Sequence, residues 1–173
     1  MATAADADAE VASQKAEITT LLQKDESDEV KVEQETEALI TQLESSPEDT
    51  TTAKKLIVQL EQDEEKVEKE TEQLIQQLEQ IEAKAETEQV ALLPEPAAKT
   101  PAAAVEASVA ETKELIVTLQ DRSTSTEQYI EELKQQVGKA STTDFLKVLK
   151  DRVSANGDFL AKYDDFVARW KSR

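Results

Sequence analysis

Residues 28–44 (DEVKVEQETEALITQLE) and residues 63–79 (DEEKVEKETEQLIQQLE) match at 13 of 17 positions, at an offset of 35. In the first copy Val32, Thr36, Leu39 and Leu43 recur at alternating spacings of four and three. Val67, Thr71, Leu74 and Leu78 do the same in the second. Glu, Gln and Lys fill the positions between. A strand would alternate every second residue, whereas this period places one apolar stripe along a helix. A helix with one greasy face must bury it against others, so the stretch points to a bundle.

The stripes extend outward from the two copies. Ile18 and Leu22 continue the first upstream, with Asp25 and Glu29 as polar interruptions. The second runs from Ile57 and Leu60 to Ile81, interrupted at Glu64. Val109, Thr112, Ile116, Leu119, Ser123, Thr126, Ile130, Leu133 and Val137 form a third. The phrase Leu-Ile-x-x-Leu recurs at Leu39, Leu56, Leu74 and Leu115. Duplication of a helical unit too small to bury its own face accounts for this, and is preferred over convergence among Glu/Lys/Gln/Leu-rich helices. Leu39, Leu43, Leu60, Leu74, Leu78, Ile116 and Leu119 are the expected seam residues.

Breakers and caps divide the chain. Ser46 reads as an N-cap, with Pro47 at the first helical position and Asp49 completing a capping box. The connection before it is short, so the flanking helices run antiparallel. Pro94, Pro96 and Pro101 lie within eight residues and predict an extended linker. Ser141-Thr142-Thr143-Asp144 is a further capping pattern. Asn156-Gly157 reads as a helix end, with Asp158 capping a final helix. Ser125 with Gln128 could open a new cap within the third helix. The expected organisation is a flexible 1–9, an antiparallel hairpin over 10–89, a Pro/Ala-rich linker over 90–104, a third helix over 105–140 and an aromatic-rich helical segment over 141–173. The fold class is an all-α, up-down four-helix bundle whose C-terminal helix breaks near Gly157. Each helix should be on the order of 50 Å long.

Composition removes most chemistry. The 173 residues include no Cys and no His, so there is no disulfide framework, thiolate nucleophile, serine triad or His-based metal site. Two glycines cannot build a phosphate-cradling loop. Paired carboxylates such as Glu64-Glu65 and Asp164-Asp165 read as a solvated face. A carboxylate enzyme would betray itself by activity governed near pH 4–5, roughly where free carboxylates titrate. Asp121, Ser123, Ser125, Glu127 and Glu132 follow the spacing of a calcium loop. However, Thr126 stands where the turn needs Gly, and the helical stripe runs through the segment. No catalytic residue, cofactor or metal site is expected.

Net charge is −18, distributed as −20 over residues 1–140 and +2 over residues 141–173. Such a chain repels phosphate backbones, which argues against nucleic acid. No apolar run reaches the roughly 20 residues of a membrane span. The Ala-rich start fits the processed end of a mature, soluble chain in an organelle or lumenal compartment. All six aromatics lie in the last 45 residues. Phe159, Tyr163, Phe166 and Trp170 share one helical face, with Arg169 beside them. Three readings are open for this face: bundle core, anchors docking a partner, or a membrane-surface helix, the last weakened by Asp mixed with Lys on the polar face.

The function expected is a non-enzymatic interaction protein. It would be an acidic accessory (extrinsic) or scaffolding subunit of a larger complex, one that could be membrane-associated, docking through the aromatic segment and the acidic faces. The alternative is an amphipathic bundle that opens on a lipid surface. In size and shape the chain resembles extrinsic helical-bundle subunits of photosynthetic or respiratory membrane complexes, a likeness of fold alone. Oligomeric state is not legible. Lowering pH or adding salt should raise helicity by relieving self-repulsion.

Overall fold

The computed structural model describes residues 4–136 and 143–172. Four helices follow in order: α1 (Ala4–Ser45), α2 (Thr50–Glu88), α3 (Pro101–Gln136) and α4 (Thr143–Lys171). Among the described residues every regular element is a helix. Helix α1 packs on α2 and α4, and α2 packs on α3, while α3 and α4 approach closely at only a few positions. This is the up-down four-helix arrangement expected: the first half of α1 shares a core with the second half of α2, the start of α3 and the end of α4.

Several boundaries differ from expectation. Helix α1 begins at Ala4, so residues 4–9 are helical. Helix α2 is capped by Asp49, whose side chain accepts from Thr52 N at 3.1 Å and from Thr52 Oγ1 at 2.7 Å. Ser46 instead opens a turn in which Asp49 N donates to Ser46 O at 3.1 Å. Pro47, with its fixed φ, suits the second position of that turn. Thr143 is the first helical residue of α4, and Ser141 and Thr142 of the proposed cap lie outside the described residues.

The linker is folded rather than extended. Gln89 ends α2 in the left-handed conformation (φ 57°), and Val90 N closes the helix end on Ala85 O at 3.0 Å. Val90, Leu92 and Leu93 then enter the core. Ser108 Oγ accepts from Leu92 N at 2.6 Å and from Leu93 N at 2.9 Å, and Lys15 Nζ donates to Leu92 O. Apolar burial and these bonds outweigh the extended preference of the prolines. Helix α3 starts at Pro101 rather than at 105, with Thr100 Oγ1 accepting from Ala103 N at 3.0 Å. Pro101 sits where its missing N–H costs nothing.

Neither expected break inside a helix occurs. Helix α3 runs through 123–126, with Ser123 and Thr126 buried and Thr124 Oγ1 bonded back to Gln120 O at 3.2 Å. Helix α4 runs through Asn156-Gly157-Asp158, and Gly157 has no positive φ. Asn156 and Phe159 are both buried on the inner face, and packing them outweighs the roughly 1 kcal/mol that a mid-helix glycine costs. A Cβ at Gly157 meets no heavy atom within 4 Å. Gly157→Ala should therefore stabilise the protein by about 0.5–1 kcal/mol, read as a higher urea midpoint at unchanged slope.

The core has two apolar lobes. One joins the N-terminal half of α1, the C-terminal half of α2, the linker, the start of α3 and the end of α4. The other joins the complementary halves. All seven expected seam residues are buried: Leu39, Leu43, Leu60, Leu74, Leu78, Ile116 and Leu119. Between the lobes lies a belt of buried polar side chains.

Candidate functional site

The belt is made of stripe positions occupied by polar residues. Glu29 of α1 meets Arg122 of α3, Nη2 to Oε2, at 2.9 Å. Glu64 of α2 meets Arg152 of α4 at 3.2 Å. Arg152 also donates to Thr126 Oγ1 at 2.8 Å and to Ser125 Oγ at 3.3 Å. Each guanidinium covers an aromatic ring at 4.7 Å, Arg122 over Phe159 and Arg152 over Tyr129. These contacts come in matched pairs. Adding 35 to Glu29 gives Glu64, and adding 30 to Arg122 and Tyr129 gives Arg152 and Phe159. The surface pairs Lys66–Asp28 (3.8 Å) and Lys31–Asp63 (3.9 Å) are matched in the same way.

Burial pushes Glu64 up from its ordinary value, against the pull of Arg152, and pushes Arg152 down. Asp25 has no arginine. Its Oδ1 accepts from Thr71 Oγ1 at 3.1 Å, and its Oδ2 has no partner. Burial first, and then the charge of Glu29, pushes it up to about 8, so it is a buried acid that keeps its proton at neutral pH. The arrangement binds charges and a proton in place; each arginine is committed to a carboxylate and a ring.

The sequence marked Asp25, Glu29 and Glu64 as interruptions and missed Arg122 and Arg152 altogether; its reading of Glu64 with Glu65 as a solvated face is corrected for Glu64, which is fully buried against Arg152. A signal was present. The chain has 16 Lys and only four Arg, and Arg is the cation suited to buried, planar pairing.

The aromatic face lies inside the bundle. Phe159, Tyr163 and Trp170 are 7%, 1% and 1% exposed. Tyr163 OH donates to Leu22 O at 3.0 Å, and Trp170 Nε1 donates to Thr19 Oγ1 at 3.0 Å. Phe166 is half-buried and stacks on Trp170 with centroids 5.7 Å apart. Arg169 fastens the linker. It reaches Glu111 at 2.6 Å, Pro94 O at 3.0 Å and Glu95 at 3.3 Å. The expectation that these five residues form a docking face is corrected for Phe159, Tyr163 and Trp170, because they are buried inside the bundle, Tyr163 and Trp170 against α1 and Phe159 beneath Arg122 of α3. Phe166 and Arg169 line a groove of about 320 Å³ between α3 and α4.

The calcium-loop spacing is carried by the unbroken helix α3, where alternate residues point about 200° apart, so Asp121, Ser123 and Ser125 cannot converge on one ion. Glu68, Glu72 and Glu127 do bring carboxylate oxygens within 4.8 Å of one another across α2 and α3, on largely exposed side chains. Acid pairs also cross other seams. Burial and a hydrogen bond to Asp164 push Glu26 up to about 7, and burial with a hydrogen bond to Glu127 does the same for Glu68.

Comparison with protein-family models, curated proteins and solved structures finds no match to this chain. Among the described residues no helix is long and apolar enough to cross a membrane.

Proposed function

We propose that this chain is a non-enzymatic interaction protein: an acidic accessory or scaffolding subunit that docks by charge on a basic surface of a larger complex. One observation carries the reading. Phe159, Tyr163 and Trp170 are buried inside the bundle and Arg169 is held by Glu111, Glu95 and Pro94, and among the described residues the exposed large apolar side chains are Val30, Val58 and Val117. The outer faces that remain are dominated by Glu and Asp, with a net charge of −18. Docking therefore moves from the aromatic segment to the acidic faces. Duplication of a helical unit belongs to the same reading, since the matched pairs Lys66–Asp28 and Lys31–Asp63 place similar charges on the surface twice.

Charge-driven docking should weaken steeply as salt is raised, because screening at 0.1 M already acts within about 10 Å. Crosslinking mass spectrometry in native extract at low and high salt tests it. Crosslinks concentrated on glutamate-rich faces and lost at high salt support it. Crosslinks that persist at high salt sink it. Co-sedimentation with lipid vesicles that survives high salt would favour the lipid-surface alternative instead.

A further inference from the structure

The seam between α1 and α2 contains two carboxyl pairs that the belt does not use. Glu35 faces Asp63, and Glu70 faces Asp28. The offset of 35 that relates the repeated segments converts one pair into the other, Asp28 into Asp63 and Glu35 into Glu70. Both oxygens of Glu35, both of Glu70 and Oδ2 of Asp28 are shut off from solvent and meet no hydrogen-bond donor. Two bare carboxylates in such a place repel each other, and neither can donate. A proton placed between them turns the contact into a short charge-assisted hydrogen bond.

We infer that the α1–α2 seam is a proton-operated clasp. Glu35 shares one proton with Asp63 and Glu70 shares one with Asp28, so the two helices are held together when the pairs are protonated and pushed apart when they ionise.

The surroundings fit. Burial, followed by the contact with Asp63, pushes Glu35 up to about 7, while its partner Asp63 is held below its ordinary value. Burial and the contact with Asp28 likewise push Glu70 up to about 7. The charged groups facing Glu35 are Asp63, Lys31 and Glu64; those facing Glu70 are Asp28, Lys24, Lys66 and the buried Asp25. All belong to α1 and α2. The lysines stand off, with Lys24 3.7 Å from Glu70, Lys66 3.8 Å from Asp28 and Lys31 3.9 Å from Asp63, and all three are more than half exposed. They soften the repulsion, and Gln59 Nε2 donates to Asp63 Oδ2 at 3.1 Å, but no hydrogen-bond donor reaches the oxygens of Glu35 or Glu70.

The sign follows from proton linkage. A glutamate whose folded value lies near 7 and whose ordinary value is 4.5 binds its proton more tightly in the folded chain. Its contribution to stability is complete below about 4.5 and is lost as pH rises through about 7. With solvent screening discounted, each pair should change the folding equilibrium constant about tenfold over that window, and the two pairs together about a hundredfold.

The test uses the full chain. Urea unfolding is followed at several pH values between about 5 and 8 for the wild type, for Glu35→Gln/Glu70→Gln, and for the exposed control Glu17→Gln/Glu88→Gln, which removes the same charge elsewhere. Glutamine supplies the N–H that the proton would have provided. The expected result is that the clasp variant loses about a hundredfold of the wild-type pH dependence and is the more stable protein near pH 8, while the control keeps the wild-type slope. Carboxyl carbon NMR titration of the wild type should show Glu35 and Glu70 near 7, beside Glu26 and Glu68, and the Glu35 and Glu70 signals should vanish from that range in the clasp variant and become ordinary in urea. The proposal is overturned if clasp and control variants have the same pH slope, or if Glu35 and Glu70 titrate in the folded protein at their ordinary values. Either outcome would reduce the pH response to general repulsion, which high salt would abolish.

Discussion

Arg152→Met lowers the stability of the bundle by about 3–5 kcal/mol, and adding Glu64→Leu to the same chain recovers most of the loss. The asymmetry comes from burial. Glu64 is fully buried, its Oε2 accepts from Arg152 at 3.2 Å, and its Oε1 has no partner. Removing the guanidinium strands a charge between two apolar lobes. It also frees the Thr126 and Ser125 hydroxyls and uncovers the Tyr129 ring. Replacing both partners by apolar side chains removes the charge instead of isolating it. Urea unfolding by far-UV circular dichroism gives the three stabilities of the cycle. The single-variant deficit should also shrink with falling pH. Burial already pushes Glu64 above its ordinary 4.5, and without Arg152 it rises further, so the variant regains stability by taking up a proton as pH drops. A double variant no better than the single one would show that the hydroxyls and the ring, rather than the stranded carboxylate, set the cost.

The same physics explains what the sequence concealed. Periodicity located three helices and all seven seam residues, and a capping pattern with the shared aromatic face located the fourth, because burial of one face is written locally, every three or four positions. The belt is not local. Glu29 and Arg122 are 93 residues apart and Glu64 and Arg152 are 88 apart, so each acid reads as a flaw in its own stripe until the opposing helix supplies the base. Caps and breakers misled for a related reason. Gly157 ends a helix only when nothing beyond it needs the same inner face, and here Phe159 and Tyr163 do. The prolines after Leu93 do prevent a helix, but Ser108, Lys15 and Arg169 decide where the non-helical chain lies. At Asp49 the deciding contact is again outside simple pattern: its carboxylate takes both the backbone and the hydroxyl of Thr52, leaving Ser46 for the turn.

The aromatic C-terminal face posed a question that composition could not answer, and Trp170→Ala provides the measurement. Trp170 is the chain's one tryptophan, and it lies against Thr19, Phe166 and Lys15, whose Nζ sits 4.7 Å from the ring. Truncating a buried indole to a methyl group leaves a cavity that helices tied to the linker cannot readily close. The expected loss is about 3–5 kcal/mol. Trp170→Phe keeps most of the apolar volume and drops the hydrogen bond to Thr19, so it should cost about 1 kcal/mol plus a smaller packing term. Phe166→Ala should cost less than Trp170→Ala because Phe166 is only partly covered. Emission from Trp170 should be blue-shifted in the native chain and move to the red in a single step with the loss of helical signal. An anchor reserved for a partner behaves in the opposite way: its removal abolishes capture and leaves melting almost untouched. If Trp170→Ala melts like the wild type, then α4 does not bury its aromatic edge against α1 in solution, and docking returns to the C-terminal segment. If melting falls as expected, any loss of binding in this variant follows unfolding, and the partner must be sought on the acidic exterior.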